Sequence, residues 1–128
     1  MCLFDFSTLP PPKKIKEPSN ELLEADVEKA VCNYAKRKGC YVRKFVSTAH
    51  RSVPDRLFIT PAGRVFFVEF KRPKKAPTPA QYKELAEIEA HNGNAFWTDS
   101  IEVGKGIVDS QLQFTPGTHS LGSRPDRL

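Results

Sequence analysis

Residues 64–70 (RVFFVEF) limit the fold of this 128-residue chain more than any other stretch. Side chains alternate between the two faces of a strand. Val65 and Phe67 therefore fall on one face, and Phe66, Val68 and Phe70 on the other. A strand that is apolar on both sides belongs inside a sheet that is covered on both sides. A sheet left open to water on one face does not fit. The chain has the apolar material for such a core, with 39% hydrophobic residues and nine Phe.

The same strand is the second arm of a hairpin. Residues 52–71 read SVPDRLFITPAGRVFFVEFK, with a first arm over Arg56–Thr60 and a tight Pro-Ala-Gly turn. A turn centred on Ala62 sets Asp55 opposite Glu69. Directly opposed residues have Cβ atoms roughly 4.5–5.5 Å apart. Lys71 shares a face with Glu69 by the same alternation. Two carboxylates and an ammonium thus converge at the open end of the hairpin. Hard carboxylate oxygens suit Mg²⁺. A lysine beside them suits activation of water or stabilisation of phosphate charge, the chemistry of metal-dependent phosphodiester hydrolysis. The simpler reading of the same residues is a surface hairpin with a cross-strand ion pair, which contributes little.

Around the hairpin the pattern predicts α-β-β-β-α-β-α. Ser19 or Asn20 can cap a first helix running to Lys38, with Leu23, Val27, Ala30, Val31 and Tyr34 as its apolar stripe and Gly39 ending it. Cys40–Ser47 has the β-branched and aromatic content of a strand. Thr78-Pro79-Ala80-Gln81 reads as a capping box with Pro at the first helical position, opening a helix to about His91. Ala95–Thr98 is a fourth strand, and Ser100 can cap a last helix weakened by Gly104 and Gly106. The expected fold is α/β, a mixed four-stranded sheet flanked by helices. Residues 1–18 read as a basic, Pro-rich disordered arm, 19–113 as the folded domain and 114–128 as a flexible tail.

A net charge of +5 and a pI near 9.2 favour an anionic partner, most simply nucleic acid. Three cysteines with no C-x-x-C pair argue against a disulfide framework, and Cys32 and Cys40 are expected as buried free thiols. No secretory signal and no run of transmembrane length is visible, so a cytoplasmic location is expected. His50, His91 and His119 lack metal-ligand spacing to one another, and Gly104-Lys105-Gly106 is too short for a P-loop.

A helix carrying Glu, then VPDRLFI, then VEFK, then a Pro-rich link and Gln81, resembles the VRR-NUC domain of the PD-(D/E)-x-K nuclease superfamily. The likeness is to small stand-alone members from bacteriophages and bacteria, and it covers about residues 20–110. It implies a restriction-endonuclease-like core. It also implies that Asp55, Glu69 and the carbonyl of Phe70 are metal ligands, that Lys71 positions the attacking water, and that Gln81 supports the lysine and the substrate. The first-helix acid that completes the site is Glu24 by the family pattern, with Glu28 as the alternative. Where the family commonly has Gly before Val-Pro-Asp, this chain has Ser52.

The resemblance implies a Mg²⁺-dependent DNA endonuclease, with Mn²⁺ able to substitute. It further implies activity on branched DNA or four-way junctions, a homodimer, and action inside a bacterial host cell if the chain is phage-encoded. Arg43, Lys44, Arg51, Arg72, Lys74 and Lys75 are the expected phosphate contacts. The alternative is a non-catalytic DNA-binding module of a replication or packaging complex.

Overall fold

The computed structural model describes residues 22–114, so the expected arm and nearly all of the expected tail lie outside it. The elements are α1 (Glu24–Arg37), β1 (Tyr41–Lys44), β2 (Arg56–Ile59), β3 (Val65–Phe70), α2 (Pro79–Ala90), β4 (Ala95–Thr98) and α3 (Ile101–Leu112). The strands form one sheet in the order β1-β2-β3-β4. β1 and β2, and β2 and β3, are antiparallel, whereas β3 and β4 are parallel and joined through α2.

The hairpin register is the expected one. Arg56 pairs with Val68 and Ile59 with Val65, which centres the turn on Ala62. On one sheet face Val42, Phe58, Phe66, Val68 and Phe70 are buried against Val27 and Val31 of α1 and Val108 of α3. Phe58 and Phe66 stack with ring centroids 4.7 Å apart. α3 lies so close to α1 that a Cβ on Gly104 would stand 2.4 Å from Val31 Cγ2.

Cover on the second face is thinner than the sequence predicts. α2 packs on its β3–β4 side, where Tyr82 meets Trp97 edge-on at 6.1 Å. Towards β1, Phe67 is half-buried and Val65 is exposed. The helix that follows β3 crosses to β4, and this leaves the β1 side of that face without a helix.

The helix ends follow their caps. Gly39, at φ +91°, closes a Schellman motif in which Cys40 N–H donates to Ala35 O and Gly39 N–H to Lys36 O, both at 3.0 Å. At the other end α1 starts at Glu24, where the Asp26 carboxylate accepts from Leu23 N–H at 2.9 Å. The expected caps Ser19 and Asn20 lie outside the described residues. β1 ends at Lys44, short of the expected Ser47, because only one further bond, Phe45 N–H to Asp55 O at 2.9 Å, continues the pairing. Among the described residues no helix is long and apolar enough to cross a membrane.

Candidate active site

Asp55 stands at the foot of β2 and Glu69 one residue before the end of β3, as the turn register requires. The Asp55 Oδ2 accepts a 2.8 Å hydrogen bond from the Phe70 N–H. That bond ties the carboxylate to the end of β3. Glu69 lies beside Trp97 across the parallel pair and is 2% exposed. Its Oε1 accepts from Gln81 Nε2 at 2.9 Å and faces the Lys71 ammonium at 3.4 Å. Its Oε2 is buried with no hydrogen-bond partner among the described residues.

A buried carboxylate oxygen without a donor is costly. The cost appears in the titration of the site. Burial, and then the charge of Asp55, push the Glu69 carboxyl up to about 7, against the pull of Lys71. Burial also raises Asp55, although the Phe70 N–H works the other way. Two carboxylates that resist ionising side by side, one with an unclaimed oxygen, suit a divalent cation that neutralises both.

Gln81 reaches this site because of how α2 begins. Pro79 takes the first helical position, and Gln81 N–H donates to Thr78 Oγ1 at 3.2 Å. The Gln81 Oε1 accepts in return from Thr78 N–H at 2.9 Å. The capping box thus fixes the side chain that holds Glu69.

The two first-helix acids separate by partner. Glu28 is bound by Arg56 Nε at 2.5 Å. Glu24 is exposed at the start of α1, and its charge raises both Asp55 and Glu69. Among the described residues no three His, Cys, Asp or Glu side chains already stand together at metal-ligating distance, so Glu24 is near the pair without joining it. Sequence reasoning left Arg56 out of the site. The structure supplies the reason in its pairing with Glu28, 28 residues away, which no local pattern signals.

The expected phosphate contacts divide into groups. Arg72, Lys74 and Lys75 are exposed on one loop, which is pinned where Lys74 N–H donates to Asp99 Oδ2 at 2.9 Å. With Leu22 they line a cavity of about 470 Å³. Arg51 is exposed on the loop that leads to Asp55. Arg43 and Lys44 sit on the edge strand β1 and alternate faces, and the Arg43 guanidinium lies over the Tyr41 ring at 4.1 Å. Ser52 does not have a positive φ, so its position makes no demand for glycine. A cavity of about 690 Å³ is lined by His50, Ser52, Glu84 and His91 and does not include the two carboxylates. Cys32 and Cys40 are buried free thiols, and burial pushes Cys32 up to about 11.

The chain is 39% identical over 77 residues to "Putative nuclease p44" of Acyrthosiphon pisum secondary endosymbiont phage 1, a match that covers 60% of this chain and 83% of that protein. A solved structure described as "VRR_NUC domain" superposes with a TM-score of 0.63 at 28% identity, covering 67% of this chain and 94% of that one. A second, "VRR_NUC domain protein", has the same fold, with a TM-score of 0.60 at 17% identity over 72% of this chain and 89% of that one. No family model matches the chain.

Proposed function

The chain belongs to the VRR-NUC family of nucleases, and from there we propose that it is a metal-dependent endonuclease that hydrolyses phosphodiester bonds in branched DNA. The observation that carries this reading is the unpartnered, buried Glu69 Oε2 beside Asp55 at the end of the hairpin. Asp55, Glu69 and the Phe70 carbonyl are the groups to hold Mg²⁺, or Mn²⁺ in its place, with Glu24 completing the set from α1. When bound, the cation supplies Lewis-acid stabilisation of the charge that develops on the scissile phosphate.

The protein side chains do the remaining work. Gln81 keeps one Glu69 oxygen turned to itself, which leaves the other for the ion. Lys71 is half-buried against Glu69, with its ammonium at the mouth of the site. There it orients the attacking water and donates to the phosphate oxygens as they gain charge. In this reading water is the nucleophile, and the buried thiols of Cys32 and Cys40, which burial raises, take no part. Arg72, Lys74 and Lys75 bind backbone phosphates next to the carboxylates without reading sequence. A homodimer would make paired cuts in a four-way junction, one from each subunit.

The test is cleavage of end-labelled linear, flap and four-way-junction DNA with Mg²⁺, Mn²⁺ or EDTA. Cutting with either metal and not in EDTA is expected, fastest on a branched substrate. Salt-sensitive binding with no cutting under any metal would instead favour a DNA-binding module.

A further inference from the structure

A second basic surface runs along α1, away from the loop at residues 72–75. Lys29, Asn33 and Lys36 follow one another at helical spacing, so they share one edge of α1. That edge faces Lys44 of β1 and Arg56 of β2 across a depression of about 310 Å³. The acid in it is Glu28, and Arg56 already binds it. Lys29, Lys36 and Lys44 are exposed, and among the described residues no carboxylate forms an ion pair with them.

A solvated helix face is the simpler reading. The helix dipole accounts for Lys36, which lies in the last turn of α1. It does not account for Lys29 in the middle of the helix, or for Lys44, which is on a strand. Their convergence with an asparagine amide in a concave site is the feature that calls for a ligand.

The order of groups along α1 suggests which one. Leu22, just before the helix, lines the cavity of the 72–75 loop. Glu24 and Asp26 make the first turn of the helix acidic. The lysine edge begins at Lys29. Lys29 and Lys36 are seven residues apart, roughly 10 Å along the axis. That is the axial rise of about three nucleotides in one strand. The acidic first turn of α1 therefore lies between the basic 72–75 loop, which reaches Leu22, and the lysine edge further along the helix, and its own charge repels phosphate.

We propose that the α1 groove binds backbone phosphates of the DNA substrate, on the side of the active site away from the 72–75 loop. The inference rests on the nuclease reading for the identity of the ligand. Lysine ammoniums act there as point charges, so the groove holds DNA by its phosphates and is indifferent to sequence.

The experiment is fluorescence anisotropy of a labelled flap DNA in EDTA, with the salt varied, for the wild type and a Lys29→Gln/Lys36→Gln variant. A Lys38→Gln/Lys105→Gln variant makes the same change in net charge on the other flank of α1, where both ammoniums lie over the Tyr34 ring. Each lost phosphate contact reduces the magnitude of the negative slope of log K against log salt by roughly 0.9. The groove variant should lose about 2 from the slope, and the control should keep the wild-type slope. An unchanged slope in the groove variant, or an equal drop in both variants, overturns the proposal. Metal is absent from this assay, so failure of the wild type to cleave in Mg²⁺ would count against the nuclease reading and leave the slope comparison intact.

Discussion

The Gln81 amide bridges the cap of α2 and the buried Glu69. Its Oε1 accepts from Thr78 N–H and its Nε2 donates to Glu69 Oε1, both at 2.9 Å. One side chain thereby sets the start of a helix and the orientation of a site carboxylate.

The two roles separate by substitution. Gln81→Glu keeps an oxygen for the cap, since Glu serves at this position of a capping box. It also replaces the donor to Glu69 with a second negative charge. Cleavage should fall while α2 is retained. Gln81→Ala loses both interactions and should also lower stability by about 1–2 kcal/mol. Thermal denaturation beside a cleavage assay distinguishes the two variants.

Glu69 makes the metal-free protein sensitive to pH. Its carboxyl sits near 7 in the fold, raised by burial from an ordinary value of 4.5. Between those values the folded chain holds a proton that the unfolded chain has released. Stability should therefore fall as pH rises through this window and level off above it. The full effect is at most about 3 kcal/mol. Asp55 is shifted in the same direction and adds to the trend. Urea denaturation in EDTA from pH 5 to 8 should show the wild type losing stability relative to Glu69→Gln. A constant difference between them would contradict the assignment. Mg²⁺, which needs the ionised carboxylates, should stabilise the wild type more at pH 8 than at pH 6.

Glu24 and Glu28 should fail in different assays. Glu24→Gln removes an exposed acid and should leave stability within about 0.5 kcal/mol. Its effect should fall on cleavage, by at least the roughly 10–100-fold that loss of a group merely supporting the ligands costs. Glu28→Gln breaks the charged contact with Arg56 and should cost about 1–2 kcal/mol of stability. Equal losses of activity in the two variants, with stability unchanged in both, would remove this distinction.

Much of this arrangement was legible in the sequence, because the signals are local. The alternation of Val65–Phe70 identified an inner strand, and Pro61-Ala62-Gly63 set the register that pairs Asp55 with Glu69. Thr78, Pro79 and Gln81 wrote the start of α2 within four residues. What the sequence did not carry was contact between distant segments. The thin cover over Val65 and Phe67 depends on where α2 crosses the sheet. The Arg56–Glu28 pair and the lysine edge of α1 depend on how that helix is rotated against β1 and β2.

Gly104 was legible as a weak point and has a packing reason. A Cβ there meets Val31 of α1, whereas one on Gly106 meets nothing within 4 Å. Gly104→Ala should destabilise by about 1–3 kcal/mol through overpacking. Gly106→Ala should stabilise by up to about 1 kcal/mol through helix propensity. Melting temperatures of the two variants should move in opposite directions.

The metal-dependent hydrolysis itself is tested most directly by cleavage of end-labelled flap DNA in Mg²⁺ by the wild type and Lys71→Ala, with an EDTA control. Lys71 lies beside Glu69 and outside the core, so the variant should fold. The expected result is cutting by the wild type that EDTA abolishes and that Lys71→Ala lowers by on the order of 10²–10³-fold. Cutting that persists in EDTA, or that is undiminished in Lys71→Ala, would contradict the placement of the active site at Asp55, Glu69 and Lys71.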